Sequence, residues 1–360
     1  EDRSRRVRGA PDPLDLEERL ANLVSDWIRP RIVPEIEILP WRRTQVLALQ
    51  VHPSSTRPHH LTREGPAGVY VRIGSTNRQA DAAAVAELQR VVRGRSFDEE
   101  PLPELYSEAL DFRVASECFA PVRRLRRKDL RTLQLLATHQ KRDVPTVGGM
   151  ILFGADRLKH FPDAWLRAGV FAGTDKSVIL DTANLTRPLP LAVEDAIAFV
   201  QRNTRRALVI DGVRHREAWE FPVVALREAI VNAFVHADYA QHGSPLRLAV
   251  FLDRITIDSP GHLPPGLTVE DIRRGVSKLR NRVIGRVFHE LGLIEQWGSG
   301  IQRMSAACRQ AGLPEPELEE IGTGFRVTFR LEKIAVPERD PLDTQIVEFL
   351  RRQPGVSTSR

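Results

Sequence analysis

The chain has 360 residues, of which 42% are apolar, and this is enough for two or three domains with hydrophobic cores. Its 53 basic and 47 acidic residues leave a net charge of +6, which favours an anionic partner and makes nucleic acid the first candidate. The two cysteines lie far apart, and no apolar run approaches the ~18 residues that span a bilayer. The composition therefore excludes a disulfide framework and a membrane partner, and we expect a cytoplasmic protein.

The first elements of the chain are predicted as a helix followed by two strands. Apolar residues recur at helical spacing over residues 14–28, and residues 32–39 and 44–51 have strand patterns. Glu35 and Glu37 would lie on one face of the first strand. Two carboxylates so placed fit a metal-dependent nuclease, and they fit the alternating charges of an edge strand equally well.

Residues 68–81, GVYVRIGSTNRQAD, form the first candidate binding site. Their pattern predicts a short strand, a polar turn and then a helix over residues 81–92. At the helix entry, hydroxyls, cations and free backbone N–H groups could converge on a phosphate. The candidate contacts are Arg72, Ser75, Asn77 and Arg78. An ordinary N-cap with solvated arginines is the competing interpretation.

This segment resembles the signature of the Schlafen-type AlbA domain of bacterial transcriptional regulators. In that signature a tyrosine, an arginine and a glycine lead into a serine-containing helix start, as in GVYVRIGSTNRQAD here. The resemblance implies a nucleic-acid-binding domain over residues 1–102, with the four polar residues above as contacts. It also supports the nuclease alternative, because Schlafen-related domains can cleave RNA through clustered carboxylates.

A connecting region of helices and strands is predicted over residues 103–218. Residues 104–142 have a helical pattern that includes a dense basic run between Arg123 and Arg131. This run could follow a phosphate backbone, but a solvated helix face more often explains such charge, and we favour that interpretation. The rest is predicted as a turn with a buried strand, two more strands and a helix, at residues 144–154, 164–172, 178–181 and 191–202.

The stretch FPVVALREAIVNAFVHADYAQHG, residues 221–243, is predicted to contain the helix around which the chain is organised. Its apolar residues recur at i, i+4, i+7 and i+8, as Leu226, Ile230, Ala233 and Phe234. Glu228 and Asn232 are four residues apart, so they lie about one turn apart and are rotated away from that stripe. This polar pair could point at a ligand.

A carboxylate and a carboxamide in this arrangement suit water activation beside a metal-bound triphosphate. Glu228 would take a proton from water, and the amide oxygen of Asn232 would ligate Mg²⁺, which prefers oxygen ligands. A solvated pair on a surface helix is the competing interpretation, because a motif this short recurs by chance. The order of the motifs downstream favours a ligand site.

Two strands and a glycine-containing loop follow this helix. The strands are predicted at residues 246–252 and 255–258, and DSPGHLPPG comes next. Asp258 could accept a hydrogen bond from an exocyclic amine, while Gly261 would let the backbone approach a flat base. In the basic segment after this loop, four residues could clamp phosphates, namely Lys278, Arg280, Asn281 and Arg282.

The last glycine motifs precede a helix and a strand. Gly298 and Gly300 stand at the entrance of a helix predicted over residues 301–311, where free N–H groups and the helix dipole favour phosphate. Gly324 lies in the turn IGTG ahead of the last strand. These motifs complete an ordered series that begins with the Glu228–Asn232 helix.

This series is similar to the GHKL ATP-binding fold of gyrase, Hsp90, MutL and histidine kinases. The segments REAIVNAFVHADY, LRNRVIG and IEQWGSGIQRM look more closely like the C-terminal half of RecG-related regulators. The resemblance implies ATP and Mg²⁺ as cofactors, with Glu228 as catalytic base and Asn232 as magnesium ligand. It implies that the remaining nucleotide contacts are Asp258, Gly261, Arg282, Gly298, Gly300 and Gly324.

The predicted fold class is α/β, or α+β. An AlbA-like domain over residues 1–102 and the connecting region precede a GHKL-like sandwich over 219–335. The truncated start of a winged helix follows at 336–360. The predicted function is a DNA-binding transcriptional regulator with an ATP- and Mg²⁺-binding module that weakly hydrolyses ATP and gates nucleic-acid binding. The partners would be nucleic acid, with DNA as first choice, ATP, and a second copy in a homodimer. A metal-dependent ribonuclease and a scaffold without nucleotide turnover are the alternatives.

Overall fold

The structure is a computed structural model that describes residues 9–331, apart from 53, 74–75, 205, 212–213 and 295–297. The side chains of residues 73, 206–211 and 214–218 are also left undescribed. Ser75 and the predicted start of a winged helix therefore lie outside the described residues.

The N-terminal part consists of two helices and three small antiparallel strand pairs. Its elements are α1 (Pro13–Trp27), β1 (Ile28–Arg29), β2 (Glu35–Trp41), β3 (Thr44–Gln50), β4 (His60–Leu61), a 3-10 helix (Thr62–Ala67), β5 (Tyr70–Ile73), β6 (Thr76–Gln79) and α2 (Ala82–Val92). Strand β1 pairs with β4, β2 with β3, and β5 with β6. Asp12 caps α1 by accepting a hydrogen bond from the N–H of Asp15, as expected for an aspartate at this position.

The middle of the chain departs most from the sequence prediction. After 3-10 helices at Phe97–Glu99 and Ser107–Ala109 it forms α3 (Phe112–Phe119), α4 (Asp129–Thr132), β7 (Leu136–His139), β8 (Arg142–Pro145), α5 (Val147–Phe153) and α6 (Arg157–His160). The helix predicted over 104–142 is thus replaced by short helices and a β7–β8 hairpin. The buried strand predicted near residue 150 is the helix α5, capped by Thr146, and all seven of its residues are buried. A fully buried helix has no polar face, so its periodicity resembles that of a buried strand.

The C-terminal part contains one six-stranded mixed sheet, a separate two-stranded antiparallel pair and helices. Its elements are β9 (Leu166–Phe171), β10 (Ile179–Leu185), α7 (Leu189–Asn203), β11 (Arg206–Asp211), β12 (Arg214–Trp219), α8 (Val223–His236), β13 (Leu246–Val250), β14 (Arg254–Pro260), α9 (Val269–Arg273), α10 (Arg282–Glu290), α11 (Gly300–Gln310), β15 (Glu317–Ile321) and β16 (Gly324–Arg330). The strand order is β10-β9-β13-β14-β16-β15, and only the β9–β13 pairing is parallel. The predicted α/β fold class is confirmed.

Helix α8 is the centre of the hydrophobic core. Its predicted stripe is buried, with Leu226, Ile230 and Phe234 at most 1% exposed, and it packs against α7, α11 and β14. Strands β9 and β10, which precede residue 219, belong to the same sheet as the later strands. The packing therefore joins part of the connecting region to the sandwich.

A buried carboxylate ties the middle of the chain to α10. Asp98 is fully buried and accepts hydrogen bonds from the backbone N–H groups of Arg282, Val283 and Ile284, at 3.0, 2.7 and 2.9 Å. It therefore caps the first turn of α10 from a segment about 180 residues earlier in sequence, satisfying N–H groups that a helix start leaves unpaired. Burial raises the pKa of Asp98 to about 6, against the opposing effect of hydrogen bonds from the Ser96 hydroxyl and from the N–H groups of Ile284 and Val283.

Candidate nucleotide site

A cavity of about 550 Å³ lies between the sheet and the helices α8, α10 and α11. Strands β14 and β16 contribute Ile257 and Val327 to its apolar wall, and the loop after β14 covers one side. Six of the predicted nucleotide residues line it, namely Glu228, Asn232, Gly261, Arg282, Gly298 and Gly300. The fold thus brings together residues that are spread over 73 positions of sequence, from 228 to 300. The volume falls within the ~300–1,000 Å³ of small-molecule sites.

Glu228 and Asn232 face this cavity because the apolar stripe of α8 turns into the core. The Glu228 side chain is only 13% exposed, and its two carboxylate oxygens have different partners. Oε1 accepts a hydrogen bond from Nδ2 of Asn232 at 3.2 Å, and Oε2 accepts one from Nη2 of Arg303 at 2.9 Å. Asn232 uses its Nδ2 group for the contact with Glu228. Its Oδ1 atom is the acceptor that could bind a metal ion.

Close approaches require the two glycines at the start of α11, Gly298 in the preceding turn and Gly300 as the first residue of the helix. Gly298 has φ of +65°, and a Cβ there would lie 2.7 Å from the carbonyl oxygen of Gly275. A Cβ at Gly300 would collide with Oε1 of Glu228. Any other residue at either position would displace the loop or the carboxylate, and both glycines line the cavity.

Gly261 and Gly324 both stand where a side chain would be crowded by neighbouring atoms. Gly261 has φ of +95°, and a side chain there would collide with the guanidinium of Arg280 and approach Asp238. Gly324 does not line the cavity; a Cβ there would lie 2.6 Å from the carbonyl oxygen of Ser259 on the paired strand. Gly261 thus lines the cavity as predicted, whereas Gly324 lies outside it.

Asp258 lies outside the cavity, and the prediction that it meets an adenine base is corrected. Along β14 the side chains of Ile257 and Ser259 line the cavity, so Asp258 points to the opposite face of the sheet. There it pairs with Arg326, its direct cross-strand neighbour, through hydrogen bonds of 2.6 and 2.9 Å. This two-bond pair occupies both carboxylate oxygens.

Of the four predicted phosphate clamps, two are structural caps. Arg280 is 8% exposed and donates to the carbonyl oxygens of His236 and His262 and to Glu87 of α2. Asn281 is buried and donates to two carbonyl oxygens at the end of α8, those of Val235 and Ala237. Both residues therefore satisfy carbonyl groups at the negative end of α8.

Basic side chains still dominate the polar lining of the cavity. They are Lys278, Arg282, Arg286 and Arg303, whereas Glu228 is the carboxylate among the described lining residues. Arg282 is half exposed and also contacts Glu99 at 3.6 Å and the Gly94 carbonyl oxygen. Burial lowers the pKa of Lys278, and the positive charge of the nearby Arg57 lowers it by a smaller amount. The balance of charge suits an anionic ligand with an apolar part.

Arg286 is a functional candidate that sequence reasoning missed. It lies one turn after Arg282 on α10 and lines the cavity, and no carboxylate of the described residues is within ion-pair distance of it. The i, i+4 spacing of Arg282 and Arg286 was the available signal.

His236 also lines the cavity. Burial, together with the nearby positive charge of Arg280, lowers the pKa of His236 to about 4, so this imidazole is neutral at neutral pH.

The N-terminal candidate residues lie on an exposed hairpin, not at a helix entry. Arg72 of β5 stands opposite Asn77 of β6, so these two side chains share one face, while Arg78 pairs with Val71 on the other. All three polar residues are exposed. The start of α2 is occupied by Asp81, which accepts a hydrogen bond from the N–H of Ala84 at 2.8 Å. The predicted convergence on a helix N-terminus is thus corrected to an exposed β-ribbon.

The carboxylates of the nuclease alternative are exposed on β2. Glu35 and Glu37 alternate with half-buried isoleucines, and Glu35 lies 3.2 Å from Nε2 of His52. Within the part of the chain that the structure describes, no group of three or more His, Cys, Asp or Glu residues is arranged to hold a metal ion. No helix in that part is long and apolar enough to cross a membrane.

Comparison with protein families gives one match in each terminal region. Residues 1–81 match the family described as Schlafen, AlbA_2, and residues 243–329 match the one described as "Putative ATP-dependent DNA helicase recG C-terminal", an HATPase-type domain. The predicted architecture, an AlbA-type domain followed by a RecG-related HATPase-like domain, is supported, and the second match agrees with a GHKL-like fold. The matched ranges include the exposed hairpin and helices α10 and α11. Helix α8, which carries Glu228 and Asn232, lies in neither range.

A solved structure shares the overall fold. The DIP2311 protein from Corynebacterium diphtheriae is 21% identical, with a TM-score of 0.55, and the alignment covers 98% of this chain and 72% of that chain. At this identity the likeness concerns the fold alone. No curated protein sequence gives a significant match.

Proposed function

We propose that the cavity binds ATP or a related nucleoside triphosphate with Mg²⁺. The observation that carries the proposal is the meeting of Glu228, Asn232 and the glycine turn before α11 in one cavity lined by four basic side chains. The apolar wall suits a base, and the cations and the helix start suit phosphates. Mg²⁺ commonly takes one or two protein ligands and completes its shell with phosphate and water, which a single amide oxygen from Asn232 allows.

Within this site each residue has a role that its contacts support. Asn232 would hold the metal through Oδ1, and Arg282, Arg286 and Lys278 would neutralise phosphate charge. When bound, Mg²⁺ supplies charge neutralisation at the phosphates. Glu228 would act as general base for water, which makes weak ATP hydrolysis a separate part of the proposal.

The wider proposal is a DNA-binding regulator whose nucleotide site gates nucleic-acid binding. The exposed β5–β6 hairpin, with Arg72, Asn77 and Arg78, is the proposed nucleic-acid contact, and DNA is the first choice. Gating is supported by Arg280, which joins α2 of the N-terminal part to the end of α8 and the loop over the cavity. We retain the domain limits 1–102, 103–218 and 219–335, and a homodimer, as parts of this proposal.

The first experiment is calorimetric titration with the non-hydrolysable analogue AMP-PNP, with and without Mg²⁺. Wild type should bind in a magnesium-dependent manner, and Asn232→Ala should lose that dependence because the metal loses its protein ligand. Asn184→Ala is the matched control, since Asn184 is exposed on the edge strand β10 away from the cavity. Equal affinity in wild type and Asn232→Ala would contradict the site, and absence of binding in wild type would favour the scaffold alternative.

The ribonuclease alternative has its own test. Metal-dependent RNA cleavage that is lost in both Glu35→Ala and Glu37→Ala but retained in Glu228→Ala would favour it over the nucleotide proposal. The exposure of both glutamates on one strand is the observation in its favour.

A further inference from the structure

The carboxylate of Glu228 occupies an anion position at the start of α11. Its Oε2 atom is 2.9 Å from Nη2 of Arg303, and its Oε1 atom lies where a side chain at Gly300 would be. Gly300 is the first residue of α11, an eleven-residue helix, and Ser299 at the N-cap makes no side-chain hydrogen bond to the first turn. A negative group therefore stands at the positive end of a helix, beside an arginine.

A helix start and an arginine are also the partners that a phosphate group prefers. A terminal phosphate that reached Arg303 would compete with Glu228 for the positive charge of the guanidinium group. Because Glu228 is only 13% exposed, both anions cannot occupy this space without strong repulsion. Binding of the phosphate is thus favoured when Glu228 moves away from Arg303.

We propose that Arg303 exchanges Glu228 for the terminal phosphate of a nucleoside triphosphate, so that the site distinguishes triphosphate from diphosphate. This inference rests on the proposed nucleotide function. The exchange would release the Glu228 carboxylate only when a triphosphate is bound. The contact with Asn232 would keep the released carboxylate near the metal ligand. Arg303 is a specificity-determining residue in this scheme, and its ion pair with Glu228 is the resting state.

The exchange predicts opposite effects for the two partners. Arg303→Ala removes a charged donor from the terminal phosphate, so AMP-PNP affinity should fall by about 10- to 100-fold while ADP affinity changes by less than about threefold. Glu228→Gln removes the internal competitor and its negative charge, so AMP-PNP affinity should rise several-fold. Arg303→Lys keeps a positive charge but not the planar guanidinium, and should restore part of the discrimination.

The experiment is calorimetric titration of these variants with AMP-PNP and ADP in the presence of Mg²⁺. Arg309→Ala is the matched control, because Arg309 lies on the same helix, is exposed and pairs with Glu315 outside the cavity. The double variant Glu228→Gln, Arg303→Ala removes the Glu228 charge together with the guanidinium that balances it, so it keeps the test valid if Arg303→Ala alone unfolds. It should bind AMP-PNP no more tightly than ADP.

The outcomes separate this inference from the function on which it rests. If neither nucleotide binds wild type, both proposals fail. If both nucleotides bind but Arg303→Ala weakens them equally, or weakens neither, the nucleotide site stands and the exchange is overturned. An unchanged AMP-PNP affinity in Glu228→Gln would likewise contradict competition between the carboxylate and the phosphate.

Discussion

At the scale of single residues, the Asp258 side chain points in a different direction from the one that the sequence motif predicts. The residue stands at the expected position after α8, yet the alternation of β14 turns it to the face opposite Ile257 and Ser259. Its two bonds to Arg326 are short, and that side chain holds the carboxylate in place. Recognition of the base by this carboxylate would require a shift of register in the central sheet.

Replacement of Asp258 should therefore affect stability more than ligand binding. Asp258→Asn removes a half-buried, doubly hydrogen-bonded ion pair, and we expect the free energy of unfolding to fall by about 1–3 kcal/mol. AMP-PNP affinity should stay within about threefold of wild type, and the ATP-to-GTP affinity ratio should be unchanged. Denaturant unfolding and calorimetry check the two parts. A selective loss of adenine nucleotide binding in the variant would restore the motif-based role.

At the scale of elements, the cavity depends on caps that come from distant segments. Asp98 caps the start of α10, and Arg280 with Asn281 caps the end of α8. These helices carry Arg282, Arg286, Glu228 and Asn232 into the site. Local caps such as Asp12 and Asp81 follow from spacing within their own helices, whereas these distant caps depend on the tertiary fold.

Loss of the Asp98 cap should destabilise the protein in a pH-dependent manner. In Asp98→Asn an NH₂ group replaces one acceptor oxygen, so backbone N–H groups of α10 lose their partner, and we expect a loss of about 1–3 kcal/mol at pH 4. The folded state raises the Asp98 pKa from 3.8 to about 6, so it binds the proton more tightly than the unfolded state does. The contribution of Asp98 to the free energy of unfolding of the wild type therefore decreases as the pH rises from about 4 to 6. Above that pH the contribution stays constant.

Urea unfolding of both proteins at several pH values checks this prediction. The stability gap between wild type and Asp98→Asn should narrow between pH 4 and pH 6. Asp111→Asn is the control, because Asp111 caps α3 locally through the N–H of Val114. A gap that widens over this interval would show that the hydrogen bonds outweigh burial at Asp98.

At the scale of the whole molecule, one arginine connects the N-terminal part of the chain to the helix and the loop that border the cavity. Arg280 donates to Glu87 of α2 at 3.1 Å and to carbonyl oxygens at the end of α8 and after β14. It is nearly buried, so the Glu87 contact is shielded from water. A shift of the loop over the cavity would therefore be felt at α2, which follows the hairpin that carries Arg72 and Arg78.

The Glu87–Arg280 contact should carry coupling between nucleotide and DNA binding. In wild type, AMP-PNP should change duplex DNA affinity by about 5- to 150-fold, the usual range for coupled sites. Glu87→Gln should reduce this ratio while leaving each ligand's separate affinity within about threefold. Fluorescence anisotropy of labelled DNA, with and without AMP-PNP, measures both quantities. Glu18→Gln on the exposed face of α1 is the control, and an undiminished ratio in Glu87→Gln would exclude this route.

The sequence by itself was sufficient to predict the elements in which apolar residues recur at regular spacing. It was also sufficient to identify Glu228 and Asn232 as the central polar pair. The helix at α8, its buried stripe and the outward turn of Glu228 and Asn232 follow from spacing, because a helix has one fixed geometry. The α/β class follows from the helix and strand patterns, and the two terminal regions were indicated by the resemblance of their motifs to known families. These features depend on contacts within a few residues.

Only the tertiary structure decided which polar residues reach the cavity. Asp258 faces away because the strand register fixes its side, Arg280 and Asn281 cap α8, and Arg286 enters the lining because α10 is anchored by Asp98. The pairing of Glu228 with Arg303 joins two residues that are 75 positions apart, on different helices. Such contacts arise from the packing of distant segments, and hydrogen-bond partners across that distance leave no periodic signal in the chain.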